Sequence, residues 1–198
     1  SAGRYQEMEA LGRRLLQMAD SPLQGDPHYR AKALNTLGTA VQYQGRYQEA
    51  ELLHKEALAI WRKAFGNEHR HVAQSLNNLA VLYHDMGRYQ EAESLHKEAL
   101  AIRRKLFGNE HPKVALDLNN LATLYCDMGR YQEAESLHKE ALAIDRKHYG
   151  KEHPEVATDL NNLAVLYDDM GRYQEAELLH KEALAIRRKL FGNEHPAV

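Results

Sequence analysis

Residues 111–150 read HPKVALDLNNLATLYCDMGRYQEAESLHKEALAIDRKHYG, and this stretch decides the fold. Pro112 stands where a helix can start, its missing N–H costing nothing in a first turn. Val114, Leu118, Leu121, Ala122 and Tyr125 then recur at three- and four-residue spacing, an apolar stripe of helical period. Gly129 ends that helix as the left-handed residue beyond its C-terminus. A second stripe follows at once. Tyr131, Ala134, Leu137, His138, Ala141, Leu142 and Ile144 share one side, while Glu133, Glu135, Lys139, Glu140 and Lys147 lie away from it. Glu135 precedes Lys139 by one helical turn, the better orientation for an ion pair worth roughly 0.3 kcal/mol. Gly150 stops the second helix. Ala122, Ala134 and Ala141 are small where two helices must approach closely, so the unit is an antiparallel helical hairpin.

Outward from this stretch the chain repeats itself. The tetrapeptide GRYQ opens at Gly3, Gly45, Gly87, Gly129 and Gly171, a period of 42 residues, and the units from Gly87 and Gly129 are identical at 34 of 42 positions. A fixed period of this length is the signature of a solenoid. Each unit of a solenoid contacts only its neighbours, which produces an extended curved surface rather than a closed catalytic pocket.

The period predicts one array over residues 1–198 with nine helices. A second-type helix falls in 1–25, hairpins in 26–66, 67–108, 109–150 and 151–192, and the start of a truncated unit in 193–198. In the first segment Tyr5, Met8, Leu11, Leu15 and Leu16 take the places of Tyr47, Ala50, Leu53, Ala57 and Leu58, and residues 21–27 diverge as a loop. Both ends lack the polar outer face of a solenoid cap. Leu11, Leu15, Leu16, Leu184, Ile186 and Leu190 are therefore expected to be uncovered, which favours head-to-tail self-association and suggests a piece of a longer protein.

Composition narrows the function. The 198 residues are 43% hydrophobic and 27% charged with a formal net charge of −2, so no basic field invites nucleic acid or anionic lipid. No apolar run approaches the ~18 residues that span a bilayer, and the N-terminus lacks a signal-peptide pattern. The single Cys126 excludes an internal disulfide framework and no Asn-x-Ser/Thr acceptor occurs, which together point to a cytoplasmic, intracellular setting. There is no Gly-rich phosphate loop, nucleophile elbow or zinc-helix motif. The expectation is a protein that is not an enzyme and has no cofactor.

Leu118, Leu121, Ala122, Tyr125, Gly129, Tyr131, Ala134 and Ala141 match the spacing of the tetratricopeptide repeat (TPR). The strings LNNLAxLY, GRYxEAE and GxEHP resemble the 42-residue TPRs of kinesin light chains and related bacterial and animal arrays. Since a TPR usually spans ~34 residues, the excess is expected in a longer second helix running through RRKLF. The chain departs from kinesin light chains in lacking their coiled coil and in how alike its repeats are. The resemblance implies an all-α, right-handed superhelical α-solenoid of antiparallel hairpins. It further implies an interaction scaffold that binds a peptide or protein segment on a concave groove without catalysis. The alternative is a structural spacer or self-assembling array.

With Leu118 facing the core, residues 116, 119, 120, 123, 126 and 127 occupy the opposite arc, where by this resemblance the groove forms. The candidates are Asn35 in the first hairpin and Gln74, Asn77, Asn78, Val81, His84 and Asp85 in the second. Leu116, Asn119, Asn120, Thr123, Cys126 and Asp127 follow in the third, then Thr158, Asn161, Asn162, Val165, Asp168 and Asp169 in the fourth. The Asn pairs stay fixed while their neighbours vary. An Asn ladder can bond an extended peptide backbone without reading its sequence; one Asn of each pair is expected to do this and the other to hold adjacent helices. Asp85, Asp127, Asp168 and Asp169 favour a basic ligand, with Arg46, Arg88, Arg130 and Arg172 placed to balance them.

His54, His96, His138 and His180 read as packed core residues, and His69, His111, His153 and His195 as caps or loop braces. His69 and His71 form a His-x-His pair without a further ligand at recognised spacing, so no metal is expected. The position of Trp61 holds Arg103, Asp145 and Arg187 in other units, which predicts a tolerant, partly exposed site. Cys126 reads as a reactive thiol if accessible, but with no adjacent base it is not a nucleophile.

Overall fold

The computed structural model describes residues 2–19 and 27–192. Among these residues the chain forms nine helices: α1 (Ala2–Ala19), α2 (Pro27–Gln42), α3 (Tyr47–Phe65), α4 (Arg70–Asp85), α5 (Tyr89–Phe107), α6 (Pro112–Asp127), α7 (Tyr131–Tyr149), α8 (Pro154–Asp169) and α9 (Tyr173–Phe191). First-type helices run 16 residues and the complete second-type helices run 19, so the residues beyond the usual repeat length do lengthen the second helix. Most of the divergent 21–27 loop, the truncated unit and His195 lie outside the described residues.

Local chemistry sets the helix ends. His69, His111 and His153 each accept, at Nδ1, the backbone N–H two residues on, at 3.3, 3.1 and 3.3 Å, which satisfies an orphan donor of the first turn. Pro112 and Pro154 open their helices as read from the sequence. At the far end Gly129 adopts φ 72°. Its N–H meets the Cys126 carbonyl at 2.9 Å, and the Arg130 N–H meets that of Tyr125 at 2.8 Å. A side chain at this φ would be strained.

The helices form two compact units, Ser1–Leu106 and Phe107–Val198. In the first, α1 packs on α2, α2 on α3 and α3 on α4, with α2 also touching α4. In the second, α6 packs on α7, α7 on α8 and α8 on α9, with α6 touching α8. Contact between sequence neighbours is what a solenoid requires. Ala73, Ala80, Ala92 and Ala99 in one unit, and Ala115, Ala122, Ala134 and Ala141 in the other, are fully buried and let the helices close up. Leu76, Leu82, Leu118, Leu124, Leu160 and Leu166 fill the space beside them, each worth roughly 1.5–3 kcal/mol on burial.

The signature Gly-Arg-Tyr turn contributes a clamp. Arg172 lies over the Tyr167 ring at 3.8 Å and donates to Glu135 at 2.8 Å, while the Tyr167 hydroxyl donates to the same carboxylate at 2.9 Å. Lys139 completes the set at 2.6 Å. Arg88, Tyr83, Glu51 and Lys55 repeat it in the first unit. Burial alone would raise the Glu135 carboxyl, but the bonds from Lys139 and Tyr167 hold it below its ordinary value. Arg88 and Arg172 thus rest on glutamates, Glu51 with Glu91 and Glu135 with Glu175.

Two expectations are corrected here. Trp61 is buried, with 2% of its surface exposed, and so are Arg103 and Asp145 at the equivalent position, while Arg187 is half-buried as expected. Variation at this place reflects exchange of neighbours rather than freedom from them: Trp61 stacks on His71 at 4.4 Å, whereas Arg103 donates to Gln74 at 3.0 Å. Among the end residues, Leu11, Leu15 and Leu190 are exposed, but Ile186 is buried in its own hairpin. Among the described residues no helix is long and apolar enough to cross a membrane.

Candidate functional site

The exposed arc of the first-type helices carries most of the candidates. On α4, Gln74, Val81 and Asp85 are exposed and Asn78 and His84 half-buried; Gln74 donates to Asn78 at 3.0 Å. On α6, Leu116, Thr123 and Asp127 are exposed, with Asn120 and Cys126 half-buried. On α8, Thr158, Val165, Asp168 and Asp169 are exposed and Asn162 half-buried.

The first Asn of each pair has a different task. Asn35, Asn77, Asn119 and Asn161 meet Nδ1 of His54, His96, His138 and His180 at 3.0, 2.9, 2.8 and 3.1 Å, joining the two helices of each hairpin. The amide nitrogen of Asn35 donates to Ser75 at 2.8 Å, and that of Asn119 to Asp159 at 2.5 Å. With its nitrogen engaged, each of these amides offers its oxygen to histidine, so His54 and His138 carry their proton on Nδ1. Burial lowers His54, His96 and His138 to about 4, which keeps them neutral. His180, less covered, also reaches Asp168 at 3.2 Å. These histidines are packed and hydrogen-bonded, as the sequence suggests.

Cys126 is corrected. Burial first, then Asp127 and Asp169, push its thiol up to about 11. It is a protonated thiol at neutral pH rather than a reactive one.

Within the second unit, α6, α7 and α8 wall a cavity of about 400 Å³. Six sequence candidates meet there: Leu116, Asn119, Asn120 and Thr123 from α6 with Thr158 and Asn162 from α8. The cavity also draws in Asp145 and Tyr149 of α7 and Glu155 and Asp159 of α8, which the sequence reading passed over. Asp145 and Asp159 are 5% and 2% exposed. Burial, then Glu155, raises Asp145 to about 6, and burial raises Asp159 to about 7. Asp145 was masked by the varied residues at its position, and Asp159 by lying on the core side of the arc. Their pairing across successive helices, 14 residues apart, was the available signal.

The tetratricopeptide repeat profile matches residues 1–63, 29–105, 71–147 and 117–189, overlapping along the array. Among solved structures, BtubC (BKLC) from P. vanneervenii is similar at 29% identity with a TM-score of 0.79, covering 98% of this chain and 77% of that one. A variant of a kinesin-light-chain-like protein of Podosopora anserina, described as having nearly identical TPR-like repeats, is 31% identical with a TM-score of 0.76, covering 95% and 89%. A second structure under that description is 28% identical with a TM-score of 0.71, covering 98% and 99%. No curated protein sequence matches. With the profile spanning the hairpins, and neighbours described as kinesin-light-chain proteins with nearly identical TPR-like repeats, the chain belongs to the tetratricopeptide repeat family, in its 42-residue, kinesin-light-chain-like class.

Proposed function

We propose that this TPR array is an interaction scaffold that holds an extended segment of a protein partner along the exposed arc of its first-type helices, without catalysis. TPRs generally bind proteins, and the arc here has the chemistry for a peptide. The observation that carries the reading is the second-unit cavity. There the half-buried Asn120 and Asn162 offer amides to a backbone beside apolar Leu116 and the hydroxyls of Thr123 and Thr158. Each such amide presents two donors and an acceptor. A role without catalysis is supported by the neutral, Asn-bound histidines and the protonated Cys126.

Selecting peptides from a random library on the intact chain and remeasuring them on Asn120→Ala plus Asn162→Ala tests this. The expected result is at least tenfold weaker binding with an unchanged melting temperature. Lost stability with unchanged affinity overturns it.

A second reading, end-to-end assembly of copies or a spacer role, is favoured by the exposed Leu11, Leu15 and Met18 of α1 and Leu178 and Leu190 of α9. Sedimentation over a hundredfold range of concentration decides it, a constant monomer counting against assembly.

A further inference from the structure

The position that Trp61 fills with an indole and Arg103 and Arg187 with a guanidinium is occupied on α7 by Asp145, a shorter side chain of opposite charge to both arginines. Arg103 reaches across its hairpin to Gln74 at 3.0 Å. In the α6–α7 hairpin the equivalent pair is Asp145 and the apolar Leu116, both lining the cavity of about 400 Å³. Space for a long side chain is present there, and no side chain of the hairpin fills it.

The electrostatics point the same way. Asp159 Oδ1 accepts from Asn119, but Asp159 Oδ2 and Asp145 Oδ1 are buried and, among the described residues, meet no donor from outside the acid pair. A buried carboxylate oxygen without a partner carries a full desolvation cost. Partial relief comes only from a hydrogen bond between the two carboxyls themselves, which needs a proton shared by the pair. Glu155 of α8 adds negative charge, Tyr149 is neutral, and His148 and His153 offset the charge on Asp145 only weakly. Lys113, on the rim, sets its ammonium 5.8 Å from the centre of the Phe107 ring.

We propose that this cavity is a subsite for one arginine side chain of the bound peptide, its planar guanidinium seated against the Asp145–Asp159 pair. This rests on the peptide-binding reading given above. A guanidinium presents parallel N–H groups in a fixed fork that matches carboxylate geometry. It brings to these oxygens the charge that Arg103 supplies from within the chain one repeat earlier. Leu116 and Tyr149 are placed to cover its methylene stem. In the absence of ligand a proton held between the two carboxyls is the substitute, resting on the more buried Asp159. Guanidinium and proton therefore compete for the same oxygens.

The test uses two capped pentapeptides that differ only at the central residue, arginine in one and its neutral isostere citrulline in the other. They are titrated into the intact ¹⁵N-labelled chain and followed by amide chemical shifts. The arginine peptide is expected to move the resonances of residues 145 and 155–162 and to bind at least tenfold more tightly than the citrulline peptide. Its affinity should fall at least threefold from pH 8 to pH 5.5, as protons compete. Asp145→Asn should erase the preference. Asp145→Arg, which restores the residue of the preceding repeat, should leave the chain folded and block the arginine peptide. The second variant keeps the test decisive if the first destabilises the hairpin. Equal binding of the two peptides, or an arginine preference that survives Asp145→Arg, overturns the subsite. If library peptides still bind through Asn120 and Asn162 without selecting arginine, only the subsite fails. If no peptide binds on this arc, both readings fail.

Discussion

The two units solve one packing problem in two ways. In the first, the position after the second-helix isoleucine is occupied by Trp61, stacked on His71 and edge-on to His28 at 5.1 Å, and then by Arg103, bonded to Gln74. In the second it is occupied by Asp145, beside a cavity and a second buried carboxyl, and then by the half-buried Arg187 of α9. The repeats are nearly the same sequence, and the side chain at this position changes together with a few of its neighbours. A position that accepts indole, guanidinium and carboxylate is therefore not permissive in the usual surface sense. It is a buried site whose surroundings change with it. Where the filling is complete the site contributes to stability; where it is left short a cavity lies beside it.

The largest expected contrast comes from truncation. Trp61→Ala should cost about 3–5 kcal/mol, as removal of a large buried side chain does. Asp145→Ala should cost far less or stabilise, because it removes a buried charge and enlarges a space already open. Urea unfolding followed by circular dichroism measures both. A similar loss at the two positions would erase the distinction drawn between the units.

Next in size is the acid pair. Folding raises both carboxyls above their ordinary value, so between about pH 4 and 7 the folded chain holds protons that the unfolded chain has released. Their contribution to stability is thus greatest at the acid side of that window and falls as pH rises through it. Asp159→Asn keeps an oxygen for Asn119 and gives Asp145 a permanent donor. It should stabilise the chain at pH 8 by an amount on the order of a few kcal/mol and by little at pH 4. Measuring the variant against the parent across this range cancels the opposite slope from the depressed His54, His96 and His138. A benefit that grows toward low pH would contradict the assignment.

Asn119→Ala and Asn120→Ala sharpen the comparison within one helix. The first leaves His138 and Asp159 short of a partner and should cost about 1–3 kcal/mol. The second should change the unfolding free energy by less than about 0.5 kcal/mol while weakening a selected peptide. Equal stability effects would mean that the two amides are not divided between core and arc.

Smallest is the outer charge. Lys181 pairs with Glu177 one helical turn away, and both are well exposed. Lys181→Ala should shift the melting temperature by no more than about 1–2 °C, since such pairs are worth a few tenths of a kcal/mol. A larger shift would require an unrecognised role for that face of α9.

Read in the sequence alone, the repeat, the hairpin, the extended second helix and the histidine caps were all available. Each depends on periodicity or on contacts within a few residues: Pro112 and His111 at a first turn, Gly129 past a last one, Ala122 at a helix crossing. The pairing of Asn119 with His138 was half visible, since both recur every 42 residues, but which Asn of the pair faced inward was not. That depended on helix rotation, which only packing against α7 fixes. The buried state of Trp61, Arg103 and Asp145 was hidden for a related reason. Variation along a sequence does not distinguish an exposed residue from one whose neighbours vary in step. The tertiary structure decided it by bringing Asp145 of α7 against Asp159 of α8, where the cost of two carboxyls out of water, and the space beside them, become physical facts.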